Sequence, residues 1–300
     1  MQYLIVNADD FGLHPAINDG IIKGWRDGFI TSTSLMCGAP AFEDAVEKVR
    51  NLPLAGRNGL ALGIHLTLVG KVAPVLPAEE VPGLVGDDGL FPASYPRFAF
   101  NLYLGKTTLE EVQAELEAQI EKALATGLHF THLDSHQHLH VLPGMQDLVL
   151  RRCRIYGFKA VRVPAEAYGF TGGFDCGPVR TLGKWGLTFL ANRFRKKLGK
   201  HGILCPDHFF GMAAGGHLDS KLVGNILEQL PEGTSEIMTH PGADSGTLKD
   251  LFPWGYHWED ELEAFTSAEN RTIAENRTIL EERNIRLVNF AGLTEIQRQR

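Results

Sequence analysis

The chain has 300 residues, of which 44% are hydrophobic and 22% are charged. These proportions are typical of a soluble globular protein, so they exclude a disordered chain, a collagen-like fibre and a small disulfide-bonded scaffold. The 29 basic and 36 acidic residues give a net charge of −7, which argues against nucleic acid as a partner. The length fits either two domains or one large α/β domain, and we expect a single domain over residues 1–300.

The cysteines and the N-terminal segment bear on the compartment. The four cysteines are scattered, without the paired spacing of a zinc knuckle or a disulfide framework, and this usage suits a reducing cytoplasm. The first residues lack the basic region of a signal peptide, and no stretch approaches the ~18 consecutive apolar residues of a membrane span. We therefore expect a cytoplasmic protein that is at most peripheral to the inner face of a membrane.

Short apolar runs alternate with amphipathic helical patterns along the chain. Strands are predicted at 3–7, 31–37, 60–68, 129–133, 160–163, 236–239 and 285–290. Helices are predicted at 16–27, 41–50, 108–126, 143–155, 218–230 and from near 267 onwards, the last with a capping-box spacing between Thr266 and Glu269. This alternation predicts βα units around a mostly parallel sheet, either open or closed into a barrel.

Two long stretches rich in Gly and Pro, 69–105 and 166–177, interrupt the pattern. They are long for plain connections, so we interpret them as lids or substrate-binding loops. In an α/β barrel such loops and the catalytic residues lie where the strands end.

The first predicted strand ends in two adjacent carboxylates, Asp9 and Asp10, in the run Asn-Ala-Asp-Asp-Phe-Gly at 7–12. A turn or helix cap would use one carboxylate and leave the other unexplained. His65 lies inside the apolar run 63–68, where a lone histidine is more often a core residue than a ligand. The segment 132–140 carries four histidines in nine residues, a density that packing explains poorly because each buried imidazole needs partners for both ring nitrogens.

Carboxylate oxygen and imidazole nitrogen together suit Zn²⁺ or another first-row divalent ion. Such an ion acidifies water, and a second carboxylate beside it can accept the proton. Arg162, at the end of another predicted strand, could hold a carboxylate ionised, although a surface arginine is the alternative. His240, before a turn, could protonate a leaving amine, although a histidine bonded to backbone is the alternative.

Four ordered motifs resemble the YdjC-like carbohydrate deacetylases, which include chitooligosaccharide deacetylase. They are Asn-Ala-Asp-Asp-Phe-Gly (7–12), Gly-Ile-His-Leu-Thr-Leu (63–68), Thr-His-Leu-Asp-Ser-His-Gln-His-Leu-His (131–140) and Thr-His-Pro-Gly (239–242). The resemblance implies a TIM-like (β/α) barrel of seven or eight irregular strands with long loops at its C-terminal face. It also implies a divalent metal, Zn²⁺ before Mg²⁺, and hydrolysis of the N-acetyl group of an amino sugar.

The resemblance also implies roles for single residues. Asp10, His65 and His136 would hold the metal, and Asp9 would be the general base. Arg162 and His240 would be the orienting arginine and the general acid. Because His132, His136 and His140 share a four-residue spacing, His136 is chosen from the Asp-Ser-His match. His138 and His140 are then candidate substrate-binding residues.

Within the family, the segments 77–82, 160–166 and 206–211 look more like the hopanoid-biosynthesis-associated deacetylases, which act on an N-acetylglucosaminyl group of a membrane lipid. Free chitooligosaccharides such as diacetylchitobiose are the alternative substrate. A metal-dependent amidohydrolase or phosphoesterase is a second alternative, but such enzymes usually carry a His-x-His pair on the first strand. A non-catalytic protein that binds a sugar or lipid headgroup is a third, and it predicts a broken site.

The segment 178–200 holds seven basic residues and no acidic one, interleaved with large apolar residues. Such a stretch can make peripheral contact with an anionic membrane. A helix packed on the barrel with a solvated basic face, or a phosphate-binding face, fits the pattern as well. A homodimer is compatible with the sequence, which does not determine the oligomeric state.

Overall fold

The computed structural model describes residues 1–53, 59–266 and 285–298. Eight strands lie in these ranges: β1 Gln2–Phe11, β2 Ser32–Leu35, β3 Ala61–Leu66, β4 Phe130–Ser135, β5 Ala160–Val161, β6 His208–Phe210, β7 Gly233–Thr239 and β8 Ile285–Leu287. The α-helices are α1 Pro15–Asp27, α2 Phe42–Arg50, α3 Tyr95–Tyr103, α4 Leu109–Ala125, α5 Met145–Tyr156, α6 Gly177–Lys200, α7 Ser220–Glu228, α8 Ser245–Leu251, α9 Trp258–Thr266 and α10 Leu293–Arg298. Two short 3₁₀ segments are His136–Val141 and Phe290–Gly292.

The strands form one curled parallel sheet in the order β5-β4-β3-β2-β1-β7-β6. β8 lies outside this order and pairs with the beginning of β1, where Gln2 is opposite Ile285. A single β-bridge from Ala160 to Leu204 joins β5 to the segment that leads into β6, so the two ends of the order approach each other. The arrangement is a distorted TIM-like α/β fold, as predicted. Because all strands are parallel, their C-terminal ends meet at one edge, which we call the C-terminal edge.

Burial explains why these segments fold as they do. Leu4, Ile5, Val6 and Ala8 of β1 are all buried, as expected for a parallel strand with both faces covered. α4 begins with a capping box, in which the Glu111 N–H donates to Thr108 Oγ1 at 3.2 Å and the Thr108 N–H donates to Glu111 Oε2 at 2.9 Å. A cap of this kind stabilises a helix by about 1 kcal/mol.

Several elements differ from the sequence prediction. β6 was not predicted because three residues are too few to show a period. α3 lies inside the stretch 69–105, which its Gly and Pro content had marked as irregular. α9 was not predicted, and in its last turn Thr266 donates from Oγ1 to the Leu262 carbonyl at 2.7 Å. The helix predicted from near residue 267 lies outside the described residues.

Both long stretches leave the C-terminal ends of strands, 69–105 after β3 and 166–177 after β5, as expected for loops of the C-terminal edge. Within residues 1–53, 59–266 and 285–298, no helix is long and apolar enough to span a membrane.

Candidate active site

The two carboxylates at the C-terminal end of β1, Asp9 and Asp10, lie in different surroundings. Asp10 adopts a left-handed backbone conformation with φ 64°, and Gly12 follows with φ 94°. The Gly12 N–H donates to Asn18 Oδ1 at 2.6 Å, which fixes this turn against α1. Asp9 and Asp10 are 2% and 1% exposed. The strand end therefore places two adjacent, buried carboxylates in contact with different side chains.

Asp10 faces two imidazoles. Its Oδ1 lies 2.9 Å from Nδ1 of His136 and 3.4 Å from Nε2 of His65. His65 Nδ1 lies 2.8 Å from Oδ1 of Asp134, which is its register partner across β3 and β4. One ligand atom each from Asp10, His65 and His136 can be chosen so that all three lie within 4.8 Å of one another. This is the group of residues predicted to hold a metal, and the structure brings it together.

Three atoms of this group lack hydrogen-bond partners among the described residues although they are buried: Asp10 Oδ2, His65 Nε2 and His136 Nε2. A buried polar atom without a partner costs about 1–3 kcal/mol. A divalent cation is the kind of partner that such carboxylate and imidazole atoms bind, and the Asp134–His65 contact would orient His65 as carboxylates commonly do in zinc sites. The residues present fit a divalent metal.

A second set of side chains is organised by Arg162, just past the end of β5. Its guanidinium donates from Nη1 and Nη2 to the two carboxylate oxygens of Asp9, both at 2.6 Å, and from Nε to Oε1 of Glu236 at 2.7 Å. Nη1 also lies 3.1 Å from Oδ2 of Asp134. Asn7 donates from Nδ2 to Asp9 Oδ1 at 2.9 Å. All of these side chains are buried, so Arg162 holds Asp9 in a fixed orientation.

The charges of the site favour a cation. Three buried carboxylates, those of Asp9, Asp134 and Glu236, contact the Arg162 guanidinium, and a fourth, that of Asp10, is buried next to Asp9 in the chain. Burial raises the pKa of Glu236 to about 7, although Arg162 opposes the shift. Burial would lower the pKa of His65, but Asp134 and the other neighbouring carboxylates raise it to about 10. For Asp10, burial is outweighed by His136 and His65, which hold its pKa well below its usual range. The surroundings thus stabilise positive charge between these ligands.

A second trio, Asp9, His65 and Asp134, also places ligand atoms within 4.8 Å of one another. Its atoms are already engaged, however. Both Asp9 oxygens accept from Arg162, and Asp134 uses Oδ1 for His65 and Oδ2 for Ser34 at 2.6 Å. The unpartnered atoms therefore favour the trio that contains Asp10.

His240 follows β7 at the same edge and is held by Glu261 of α9. The His240 N–H and the Thr239 hydroxyl donate to Glu261 Oε2 at 2.5 and 2.7 Å. The imidazole Nδ1 of His240 lies 3.9 Å from that oxygen, too far for a hydrogen bond, and has no partner among the described residues. The ring packs against Tyr256 with 4.8 Å between centroids. His240 therefore keeps an unpartnered ring nitrogen at the C-terminal edge, where the candidate metal ligands also lie.

The histidine-rich segment divides into different environments. His132 stacks on Phe290 at 3.7 Å, its Nδ1 lies 2.9 Å from Thr131 Oγ1, and burial lowers its pKa to about 3. His140 has both ring nitrogens paired, with Ser135 Oγ at 2.6 Å and the Arg162 carbonyl at 3.0 Å. Packing thus accounts for two histidines of the cluster, contrary to the expectation that packing explains the density poorly.

His138 differs from its neighbours. It follows Gln137 in a turn where both residues have left-handed backbones, with φ 60° and 51°. Its ring packs against Phe209 at 5.8 Å between centroids, and its Nδ1 is buried without a partner among the described residues. Of the two histidines predicted to contact substrate, His138 has a free atom for that role and His140 does not.

Sequence reasoning assigned no role to several residues of the site. Asp134 and Glu236 are charged residues within buried strands, and that position was the available signal for both. Glu261 lies on a helix that was not predicted. Trp254 lies 5.6 Å from His136 between ring centroids, and Tyr256 packs on Trp254 at the same distance. The alternation of aromatic residues from 252 to 258 was the sequence signal for these aromatic contacts beside His136.

Gly70 allows His136 to occupy its position. Its φ is 93°, and a Cβ at this residue would lie 2.8 Å from His136 Nε2. Any larger residue would therefore meet both backbone strain and the imidazole.

The fold and site together define a TIM-like α/β protein with a candidate Asp/His/His metal centre. The sequence profile of YdjC-like proteins matches residues 3–276, and the chain belongs to this family. The resemblance predicted from the four motifs is confirmed.

Several relatives that are named for an activity align with most of the chain. A carbohydrate deacetylase from Oceanobacillus iheyensis is 37% identical over 88% of this chain and 96% of its own. A carbohydrate deacetylase from Homo sapiens is 32% identical over 89% of this chain and 85% of its own. A crystal structure from Enterococcus faecalis, named for a proposed role in cellobiose-phosphate cleavage, superposes with a TM-score of 0.72 at 27% identity and covers 97% of this chain and 98% of that one.

Proposed function

We propose that this protein is a metal-dependent carbohydrate deacetylase that hydrolyses the N-acetyl group of an N-acetylglucosaminyl substrate. The observation that carries the proposal is the set of three unpartnered buried atoms on Asp10, His65 and His136, next to a carboxylate held by Arg162. The names of the relatives support the reaction class.

Asp10, His65 and His136 would hold the metal. Two imidazoles and one carboxylate suit Zn²⁺ better than Mg²⁺, which prefers oxygen ligands. When bound, a divalent cation acidifies water and polarises the acetamide carbonyl. Family membership and the fit of the donor atoms support this assignment.

Asp9 is the proposed general base. Each carboxylate oxygen has two lone pairs, so Asp9 can accept from Arg162 and still take a proton from water. The guanidinium fixes the orientation of the carboxylate, which general-base catalysis requires. Asp134 and Glu236 also contact Arg162, so three carboxylates share its charge.

His240 is the proposed general acid. Glu261 fixes its backbone by accepting from its N–H, and Tyr256 fixes the plane of its ring. A proton on the imidazole can then pass to the departing amine as the C–N bond breaks. Acetate and the free amino sugar are the products.

The sugar is proposed to contact Trp254 and His138. Trp254 is half-buried and lies beside His136, so its ring can cover the apolar face of a pyranose. The unpartnered Nδ1 of His138 can pair with a polar group of the sugar. Neither residue has another assigned role in the described part of the chain.

The finer substrate is proposed to be lipid-linked, with free chitooligosaccharides as the alternative. Acetate release by zinc-loaded protein distinguishes them when measured in parallel on N,N'-diacetylchitobiose and on an N-acetylglucosaminyl lipid, each with an Asp9→Asn control. Release from the lipid alone is the expected result. Release from the chitobiose would identify the alternative substrate, and release from neither would overturn the proposed function.

A further inference from the structure

The outer face of α6 carries a continuous stripe of exposed side chains. The stripe consists of Val179, Leu182, Trp185, Phe189, Arg193, Lys196 and Lys200, all exposed. Steps of three and four residues keep these positions on one side of a helix. The opposite side, with Ala191, Phe194 and Leu198, is buried and packs toward the histidine-rich segment, where Phe194 lies 6.0 Å from His140 between centroids. The helix therefore has one face committed to the fold and another that faces outward.

The first half of the stripe is apolar to an extent unusual for a protein surface. Val179 is 85% exposed, Leu182 70%, Phe189 55% and Trp185 46%. Tyr168, also exposed, packs edge-on against Trp185, whose Nε1 donates to the Tyr168 carbonyl at 3.0 Å. Large apolar residues that gather on one exposed face mark an interaction surface.

The second half of the stripe is cationic. Four of the seven basic residues of 178–200 are used inside the fold: Arg180, Lys184 and Arg195 donate to backbone carbonyls, and Lys197 pairs with Asp147. The other three are those of the stripe. Since the whole chain carries a net charge of −7, this positive strip is a local feature and not a property of the protein at large.

The stripe begins at the C-terminal edge. Arg180 donates to the Gly215 carbonyl in the loop after β6 at 2.7 Å. A groove of about 440 Å³ opens there between the N-terminal ends of α3 and α6, lined by Tyr95, Val179, Leu187 and Met212 among others. Tyr95 in turn donates its N–H to Gln137, the neighbour of His136. The apolar half of the stripe and this groove therefore lie on the same side as the candidate active site.

We propose that the α6 stripe docks the protein onto an anionic lipid bilayer, with the apolar residues entering the interface and the basic residues facing acidic headgroups. Aromatic and aliphatic side chains followed by cations on one helix face match the chemistry of such a surface. A second copy of the chain matches it less well. In a two-fold contact between parallel stripes, basic residues would face basic residues. In a contact between antiparallel stripes, basic residues would face apolar ones. The proposal adds a partner to the proposed function, since a bilayer would carry a lipid-linked substrate.

The experiment is co-sedimentation of the full chain with vesicles of phosphatidylcholine, with and without phosphatidylglycerol. Binding to the anionic vesicles only is expected. The double variants Leu182→Ser/Phe189→Ser and Arg193→Gln/Lys196→Gln should each weaken it about tenfold or more. Matched controls are Leu124→Ser/Leu251→Ser and Lys221→Gln/Lys249→Gln, exposed residues of other helices that should leave binding unchanged. Quenching of Trp185 fluorescence by brominated acyl chains, lost in Trp185→Phe, should report insertion.

Three results would overturn the proposal: no vesicle binding, equal loss in variants and controls, or a dimer in solution that the Leu182→Ser/Phe189→Ser variant dissociates. Because acetate release from an N-acetylglucosaminyl lipid dispersed in detergent does not need docking onto a bilayer, both double variants should deacetylate it at the parent rate if the proposed function holds. Vesicle binding without acetate release would leave the docking surface standing and remove the proposed function. Acetate release without vesicle binding would do the reverse.

Discussion

The two carboxylates at the end of β1 lie in halves of the site that are built differently. Around Asp10, three buried atoms have no partner within the described residues. Around Asp9, Arg162 donates to both carboxylate oxygens at 2.6 Å and to Glu236 Oε1 at 2.7 Å, and Glu236 Oε2 is the unpartnered oxygen of this set within the described residues. The first half has donor atoms that can hold a cation, and the second holds a carboxylate rigidly. Under the proposed function, adjacent residues of one strand thus serve as metal ligand and as general base.

The largest effect is expected from Asp9→Asn, which keeps the shape of the side chain but removes its basicity. Turnover should fall about a thousandfold while KM changes little, because the loss affects the proton transfer and not the sugar contacts. Steady-state acetate release measures both parameters. A variant that keeps turnover within a few fold of the parent would exclude Asp9 as the base.

The next largest effect is a change of stability with pH that arises from the side chains around Arg162. The pKa of Glu236 is raised from 4.5 to about 7 in the folded protein, so folding favours the protonated carboxyl group. This contribution to stability is complete below the pKa of the unfolded chain. That contribution is lost as pH rises through about 7. The stability advantage of the parent over Glu236→Gln, which does not titrate, should therefore shrink between about pH 5 and about pH 8, by on the order of 3 kcal/mol.

Urea unfolding at the two pH values measures that difference. The control is Glu110→Gln, a change at an exposed glutamate of α4, which should show no such trend. A stability difference that stays constant between the two pH values would mean that Glu236 is ionised throughout this range, in conflict with its raised pKa.

A smaller effect, on metal affinity, is expected from Gly70→Ala. The added Cβ would press on His136 Nε2, so metal affinity should fall about 10- to 100-fold, as with other changes that misorient a ligand. Gly89→Ala is a matched control, because Gly89 also has a positive φ, 73°, but no atom lies within 4 Å of its added Cβ. Zinc titration against a competing chelator compares the two. Equal losses would attribute the effect to backbone strain alone.

The smallest effect is expected from Trp254→Ala. Loss of the ring beside His136 should raise KM for the amino sugar about 3- to 10-fold and leave metal affinity unchanged. Trp254→Phe should recover most of the affinity, since a smaller ring still covers the sugar. A fall in turnover without a change in KM would place Trp254 in the chemical step.

Sequence alone identified the α/β architecture and the four motifs, because both rest on local patterns. The choice of His136 among equally spaced histidines depended on a motif match, and the structure then placed it next to Asp10. The partner of His65 was not predictable, because Asp134 faces it only through the register of β3 against β4. Register depends on how whole strands pack and not on any one segment.

Long-range contacts account for the other differences. His132 shares the four-residue spacing of His136, but Phe290, from the far end of the chain, stacks on it. Glu261, which fixes the backbone of His240, lies on a helix that the sequence pattern did not predict. Contacts of this kind join residues that no local period relates.

The most direct test of the division between the two halves is the metal content of purified Asp9→Asn and Asp10→Asn, measured per chain after dialysis against the same trace of zinc. Asp9→Asn should retain the metal of the parent protein, because its partners are Arg162 and Asn7. Asp10→Asn should lose it, because the change removes a carboxylate ligand. Zinc retained by Asp10→Asn and lost from Asp9→Asn would contradict the account.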